Sequence, residues 1–205
     1  MEQQKSSMEN LGLVSSKNNM GQFVIQNLNL LGAKKIKKKK YQDKRGYLSR
    51  VFCYDELKKN KINFSIKQIN ITLTKKKGTI RGLHFQLPPH SEIKMVSCIK
   101  GKIFDVIVDL RKNSKTFLKT HSEILSEKNQ KSLIVPKGFA HGFQALEDNC
   151  EILYFHSENY NSDYEDGIKY NDPQLSIKWP KNTTNISKRD DNFKLILENF
   201  KGLKI

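Results

Sequence analysis

Apolar and polar residues alternate in short runs over most of the chain, and a period of two marks half-buried β-strands. Ile69-Asn-Ile-Thr-Leu73 alternates cleanly, and in Phe104-Asp-Val-Ile-Val-Asp-Leu110 the residues Phe104, Val106, Val108 and Leu110 share one face. Thr116 to Leu125, Leu133-Ile-Val135 and Glu151 to His156 continue the pattern. Turn signals separate them at Lys100-Gly101, Arg111 to Ser114, Glu127 to Gln130 and Glu147 to Asn149. Many short strands at roughly ten-residue spacing predict an all-β sandwich or barrel. The absence of strand–helix alternation and of a nucleotide-binding glycine loop excludes a Rossmann or P-loop fold. Two helices are predicted. One is short, around Tyr54 to Asn60. The other is C-terminal, where Phe193, Ile196, Leu197 and Phe200 fall at i, i+3, i+4 and i+7 and lay one apolar stripe against the barrel. Residues 1–22 have no periodicity and read as a flexible lead, with residues 23–205 as a single domain.

Composition supports a soluble globular chain: of 205 residues, 37% are hydrophobic and 28% charged, enough apolar content for a core in one domain. No apolar run approaches the roughly 18 residues of a membrane span, and the polar start lacks the apolar centre of a secretory signal. Cys53, Cys98 and Cys150 are odd in number and widely spaced, which predicts free thiols in a reducing cytoplasm. The net charge is +16, and Lys34 to Lys40 holds six lysines in seven residues. Nucleic acid and acidic membranes attract such runs. Arginine is scarce, however, and no aromatic residues are interleaved as a stacking platform. The run reads as a solvated surface, with neither nucleic acid nor membrane as partner. A diphosphate-bearing small molecule would also favour a basic field.

Candidate chemistry concentrates in two segments, Gly78-Thr-Ile-Arg-Gly-Leu-His-Phe-Gln86 and Val135-Pro-Lys-Gly-Phe-Ala-His-Gly-Phe143. Each delivers a histidine from a glycine-flanked turn, and a histidine on rigid sheet suits proton transfer near neutral pH. Pro136-Lys-Gly-Phe-Ala-His141 resembles the second signature of the cupin superfamily, a small β-barrel jelly roll. Metal-binding cupins carry two histidines one residue apart in their first signature. Here that place reads His84-Phe-Gln86, and His90 and Glu92 have the wrong spacing. Two well-placed ligands fall short of the three or four a divalent metal wants, so no metal is expected.

Further motifs follow in order: Arg81-Gly-Leu-His-Phe-Gln86, Lys94-Met-Val96, Gly101 to Arg111, Thr116-Phe117, Pro136 to Phe143, Leu153-Tyr154, Tyr160, Asn171-Asp-Pro173 and Ile177-Lys-Trp-Pro180. Together, from about Phe23 to Asp190, they resemble the dTDP-4-dehydrorhamnose 3,5-epimerase family. The resemblance implies a cupin-type jelly roll, no cofactor, and a cytoplasmic homodimer whose subunits exchange strands. It also implies epimerisation of a nucleotide-linked 4-keto-6-deoxy sugar at C3 and C5. The chemistry needs a base on one face of the ring, an acid on the other and a cation near the developing enolate oxygen. An epimerase acting on one carbon, or on another nucleotide sugar, is the nearest alternative; a non-catalytic sugar-nucleotide-binding cupin is the alternative from another class.

The resemblance assigns His84 as base, with Asp190 of Ile186-Ser-Lys-Arg-Asp190 as the partner fixing its tautomer. By residue type alone, Asp190 reads as a helix cap. Tyr154 takes the place of the proton donor, although a tyrosine in Ile152-Leu-Tyr-Phe155 is ordinarily core packing. Lys94 takes the place of the enolate stabiliser, against the alternative of a snorkelling surface lysine. Arg45 and Arg81 correspond to binders of diphosphate and sugar oxygens, and Gln68 and Asn70 to contact residues. His141 corresponds to a sugar contact, Tyr160 to the tyrosine stacking on the base, and Glu165 to a nucleotide-side carboxylate. Arg50 and Ile69 depart from the family pattern, each where an acidic residue is usual, and bear on the choice of substrate.

Overall fold

The alternating runs become strands, and the strands pair into two antiparallel sheets. The computed structural model describes residues 21–205, so the predicted flexible lead lies, but for its last two residues, outside the described residues. In chain order the elements are β1 (Phe23–Asn27), β2 (Lys34–Lys38), β3 (Lys40–Asp43), β4 (Gly46–Ser49), α1 (Tyr54–Lys59), β5 (Gln68–Thr74), β6 (Ile80–Gln86) and β7 (Lys94–Lys100). They continue as β8 (Lys102–Asp109), β9 (Thr120–Ser126), β10 (Lys131–Val135), β11 (Phe139–Ala145), β12 (Cys150–His156), β13 (Glu165–Gly167) and α2 (Lys188–Asp191). One sheet runs β1-β2-β10-β7-β12-β5, the other β13-β6-β11-β8-β9, and β3 and β4 form a separate hairpin. This is a jelly roll, the all-β architecture expected, with few and short helices.

Between the sheets, Val96, Ile103, Ile107, Leu125, Leu133, Phe139, Phe143 and Ile152 form one buried cluster. The face of β8 bearing Val106 and Val108, continued by Leu110 just beyond the strand, turns the other way. It joins Leu83, Phe85, Ile168 and Leu175 in a second cluster, with Trp179, Ile196, Phe200 and Leu203 packed over it. Both faces of β8 are thus buried, the outer one beneath the C-terminal segment.

That segment corrects the predicted C-terminal helix. The helix is a single turn, Lys188–Asp191, and the stripe of Phe193, Ile196, Leu197 and Phe200 lies beyond it in non-helical chain. Its backbone groups find partners elsewhere in the fold, which removes the need for a helical ladder. Ile196 N–H donates to Asp172 Oδ2 at 2.6 Å, Lys169 N–H donates to Lys194 O at 3.1 Å, and Gln174 Nε2 donates to Ile196 O at 2.8 Å. Ile196 and Phe200 still reach the barrel, whereas Leu197 is 66% exposed.

The lysine run also departs from its reading as solvated surface. It forms β2, paired between β1 and β10, and its alternation turns Ile36 and Lys38 inward. Ile36 joins Leu57, Phe64, Met95 and Phe155 in a third buried cluster beneath α1. Lys38 is 7% exposed; its Nζ donates to Ser132 Oγ at 2.7 Å and Ser97 Oγ at 3.3 Å, with no ion pair among the described residues. Burial lowers its amine to about 8. Lys35 and Lys131 share Glu123, at 2.9 and 2.6 Å.

Candidate active site

A pocket of about 260 Å³ opens between the sheets and is lined by Asn70, Thr72, Arg81, His84, Glu92, Lys94, His141, Tyr154, His156, Tyr160, Glu165 and Arg189, among others. β6 and β11 of the five-stranded sheet supply His84 and His141; β7 and β12 of the facing sheet supply Lys94 and Tyr154. His84 and His141 sit directly opposite each other in the β6–β11 register. Two residues along β11, Phe143 pairs with Arg81, which is three residues from His84. The extra residue is a β-bulge, and it turns Arg81 and His84 toward the same pocket despite their odd spacing. Glycine is required at this crossing: Gly82 has φ +110°, and a Cβ there would lie 2.7 Å from Gly142 Cα.

His84 Nε2 lies 3.0 Å from Asp190 Oδ1, and the other carboxylate oxygen accepts from Gly82 N–H at 2.9 Å. The two alternatives for Asp190 separate here. Ser187 is the residue that caps α2, its hydroxyl accepting from Asp190 N–H at 3.0 Å, while the Asp190 side chain turns inward and is 2% exposed. Burial would raise its carboxyl, but the hydrogen bond and charge of His84 and the Gly82 amide prevail and hold it well below the usual range. An ionised carboxylate only accepts, so the proton shared with it is assigned to Nε2, leaving the Nδ1 lone pair free. Phe193 packs edge-on against the imidazole, with ring centroids 5.6 Å apart.

On the facing wall, burial and then the Asp105 carboxylate push the Tyr154 phenol well above its ordinary value, keeping it a protonated donor. Lys94 is 9% exposed and lies 3.2 Å from Glu92 Oε1, so it is not a snorkelling surface lysine. His141 Nε2 is held by Asp105 Oδ2 at 2.8 Å. Arg81 donates Nε to Thr74 Oγ1 at 3.0 Å and Nη2 to Leu73 O at 3.1 Å. Tyr160 donates its hydroxyl to Glu165 at 2.9 Å and its ring is 54% exposed at the mouth. Gln68 lies behind the lining, accepting from Tyr160 N–H at 3.0 Å and donating to Asn70 at 3.1 Å.

Arg45 is not brought to this pocket. It sits in the turn of the β3–β4 hairpin with 91% of its side chain exposed, its guanidinium forked onto Asp43. Arg50 pairs with Glu56 at 3.0 Å and is likewise not among the lining residues. Sequence reasoning missed Arg189, which joins Glu165 at 2.6 Å and Asp190 at 3.3 Å and stands 3.2 Å from His84 Nε2. Its place beside Asp190 in Ser-Lys-Arg-Asp was the available signal. Asp105 and His156 were missed too, and Glu92 was weighed only as a metal ligand.

Fold and site together define a jelly-roll protein with a carboxylate-paired histidine on one sheet and a tyrosine and lysine on the facing one, a layout suited to moving protons on a carbon acid. Comparison with known proteins agrees. Residues 27–198 match the family profile of dTDP-4-dehydrorhamnose 3,5-epimerase. The enzyme of that name from Sinorhizobium fredii is 39% identical over 173 residues, covering 84% of this chain and 89% of its own. A dTDP-6-deoxy-D-glucose-3,5-epimerase from Legionella pneumophila, solved with dTDP-4-keto-L-rhamnose, superposes with a TM-score of 0.83 at 33% identity, covering 89% of this chain and 98% of its own. The dTDP-4-dehydrorhamnose 3,5-epimerase of Bacillus anthracis, solved with TDP and pyrophosphate, gives 0.83 at 36% identity, over 85% and 99% of the two chains. The chain belongs to the dTDP-4-dehydrorhamnose 3,5-epimerase family.

Proposed function

We propose that this protein epimerises dTDP-4-dehydro-6-deoxy-D-glucose at C3 and C5, giving dTDP-4-dehydro-L-rhamnose, by proton removal and return through an enolate. Hydrogens on the carbons flanking the ketone are acidic because the negative charge left behind delocalises onto oxygen. His84 takes the proton at Nδ1, with Asp190 holding Nε2–H and stabilising the imidazolium that forms. Lys94 faces the enolate oxygen. Tyr154 returns a proton from the opposite wall, and the inverted centre results. The observation that carries this reading is the distribution of His84 and Tyr154 over two facing sheets around one pocket.

Arg81, Asn70 and His141 serve the sugar and diphosphate, and Tyr160, Glu165 and Gln68 the nucleotide end. The active form is a homodimer, a reading supported by exposed Tyr41, Tyr47 and Leu48 on the β3–β4 hairpin and exposed Ile69, Ile71 and Leu73 on edge strand β5. In such a dimer the hairpin would carry Arg45 to the partner subunit's pocket. A cytoplasmic location is supported by buried, free Cys98 and Cys150; among the described residues no helix is long and apolar enough to cross a membrane.

The test is incubation with the 4-keto substrate in deuterium oxide. Deuterium should enter C3 and C5 of the product, and His84→Ala should abolish both exchanges. Label at one carbon alone would establish a single-centre epimerase, and label at neither a binding protein.

A further inference from the structure

His84 and His141 each bind a carboxylate through Nε2. A third histidine in the pocket does the reverse. His156, two residues beyond Tyr154 on β12, faces the same way, and its ring stacks on the phenol with centroids 5.8 Å apart and 25° between planes. Its Nδ1 lies 2.6 Å from Glu92 Oε2, and the other oxygen of Glu92 meets Lys94 Nζ at 3.2 Å. One carboxylate therefore sets the ammonium and the imidazole side by side. Burial would raise Glu92, but the Lys94 charge and the His156 hydrogen bond prevail and keep it ionised. An ionised carboxylate cannot donate, so Nδ1 carries the proton between them. In the neutral imidazole with its proton on Nδ1, Nε2 is the lone pair. That nitrogen is buried and has no hydrogen-bond partner among the described residues, in a side chain that lines the pocket. A buried polar atom left unpaired in a binding cavity is a place for a ligand atom.

We infer that His156 Nε2 is a specificity contact that accepts a hydrogen bond from the sugar hydroxyl on the carbon next to the ketone. This rests on the proposed epimerase reading, in which Lys94 addresses the ketone oxygen. A group held beside Lys94 by the same carboxylate then meets the neighbouring substituent. In a 4-keto-6-deoxyhexose the C3 hydroxyl is the hydroxyl adjacent to the carbonyl. The arrangement distinguishes α-hydroxy ketones from sugars deoxygenated at C3, because without that hydroxyl Nε2 stays unpaired and buried.

Deuterium exchange at C5 tests this, because it can be followed with the dTDP-linked 4-keto-6-deoxy sugar and with its 3-deoxy analogue alike. His156→Leu should raise KM for the hydroxylated substrate about tenfold while kcat stays within about twofold. His156→Gln, which keeps a polar terminus, should recover most of that loss. For wild type the 3-deoxy analogue should cost a similar factor, and for His156→Leu it should cost nothing further. Losses that multiply, with the variant and the analogue each lowering exchange independently, would overturn the contact. So would an unchanged KM in His156→Leu. Absence of C5 exchange in wild type with both sugars would instead defeat the 3,5-epimerase reading beneath it.

Discussion

Replacing Lys38 with methionine should stabilise the protein, although it removes a buried, hydrogen-bonded side chain from the six-stranded sheet. The buried amine is drawn from 10.5 down to about 8. Each pH unit of that displacement is worth about 1.4 kcal/mol, so holding the charged form in the fold costs about 3 kcal/mol. Ser97 and Ser132 stand 2.6 Å apart and remain hydrogen-bonded to each other when the amine is gone. The sign follows from proton linkage. Below pH 8 the lysine is charged in both folded and unfolded chains, and the full cost is present. Between 8 and 10.5 the unfolded chain keeps a proton that the folded chain has released, so wild-type stability rises with pH; above 10.5 the cost is gone. Urea unfolding of both proteins, followed by Trp179 fluorescence, should show Lys38→Met more stable by about 3 kcal/mol at pH 7, with the two converging by about pH 10.5. A variant less stable than wild type at pH 7, or two pH profiles running parallel, would refute the reasoning.

The proton-transfer site gives two further expectations. Asp190→Asn presents an amide that can donate to His84 Nε2, moving the ring proton to Nδ1 and removing the base; deuterium exchange should fall about 10²- to 10⁴-fold, and a loss below tenfold would sink the dyad. Because the native Asp190 carboxyl is depressed, its stabilisation is present above the ordinary carboxylate range near pH 4 and fades as pH falls below it. The acid limb of the unfolding profile should therefore flatten in the variant, and an unchanged limb would count against that linkage. Tyr154→Phe should slow completed epimerisation at least tenfold while initial proton loss changes much less; equal loss of both would remove Tyr154 from the donor role.

The strand pattern was legible because most strands bury one or both faces against a partner, and β5, β8, β10 and β12 fall on the runs that alternate. The run from Thr116 shows the limit: the strand begins only at Thr120, after a turn closed by Leu118 at φ +58°. Lys38 was legible in principle. Ile36 turns inward, and period two takes Lys38 with it, but six lysines in seven residues read as a solvated face. The stripe from Phe193 to Phe200 misled for a different reason. Helical spacing identified side chains that reach the barrel, but tertiary hydrogen bonds with Lys169, Asp172 and Gln174 decided the backbone. The Arg81–His84 pairing depends on a bulge, and Asp190 lies over a hundred residues from His84; neither leaves a local pattern, and only the family resemblance pointed to Asp190.

Charge around the pocket bears on how the site is completed. Within the lining, Arg81, Lys94 and Arg189 stand against Glu92 and Glu165, and most of that positive charge is already engaged: Lys94 with Glu92, Arg189 with Glu165. Behind them, Asp190 is ionised, and its negative charge is set against His84. A nucleoside diphosphate brings two or more negative charges, which leaves Arg81 as the one lining cation without an ion pair among the described residues. Arg45 forms a single ion pair at an exposed hairpin tip, with Asp43, and surface pairs of that kind are worth little. Exchange of Asp43 for a phosphate would give that guanidinium a stronger partner at small expense. This is the physical case for the proposed homodimer, in which the hairpin of one subunit would complete the pocket of the other and the single-chain pocket would be the sugar end of a larger one.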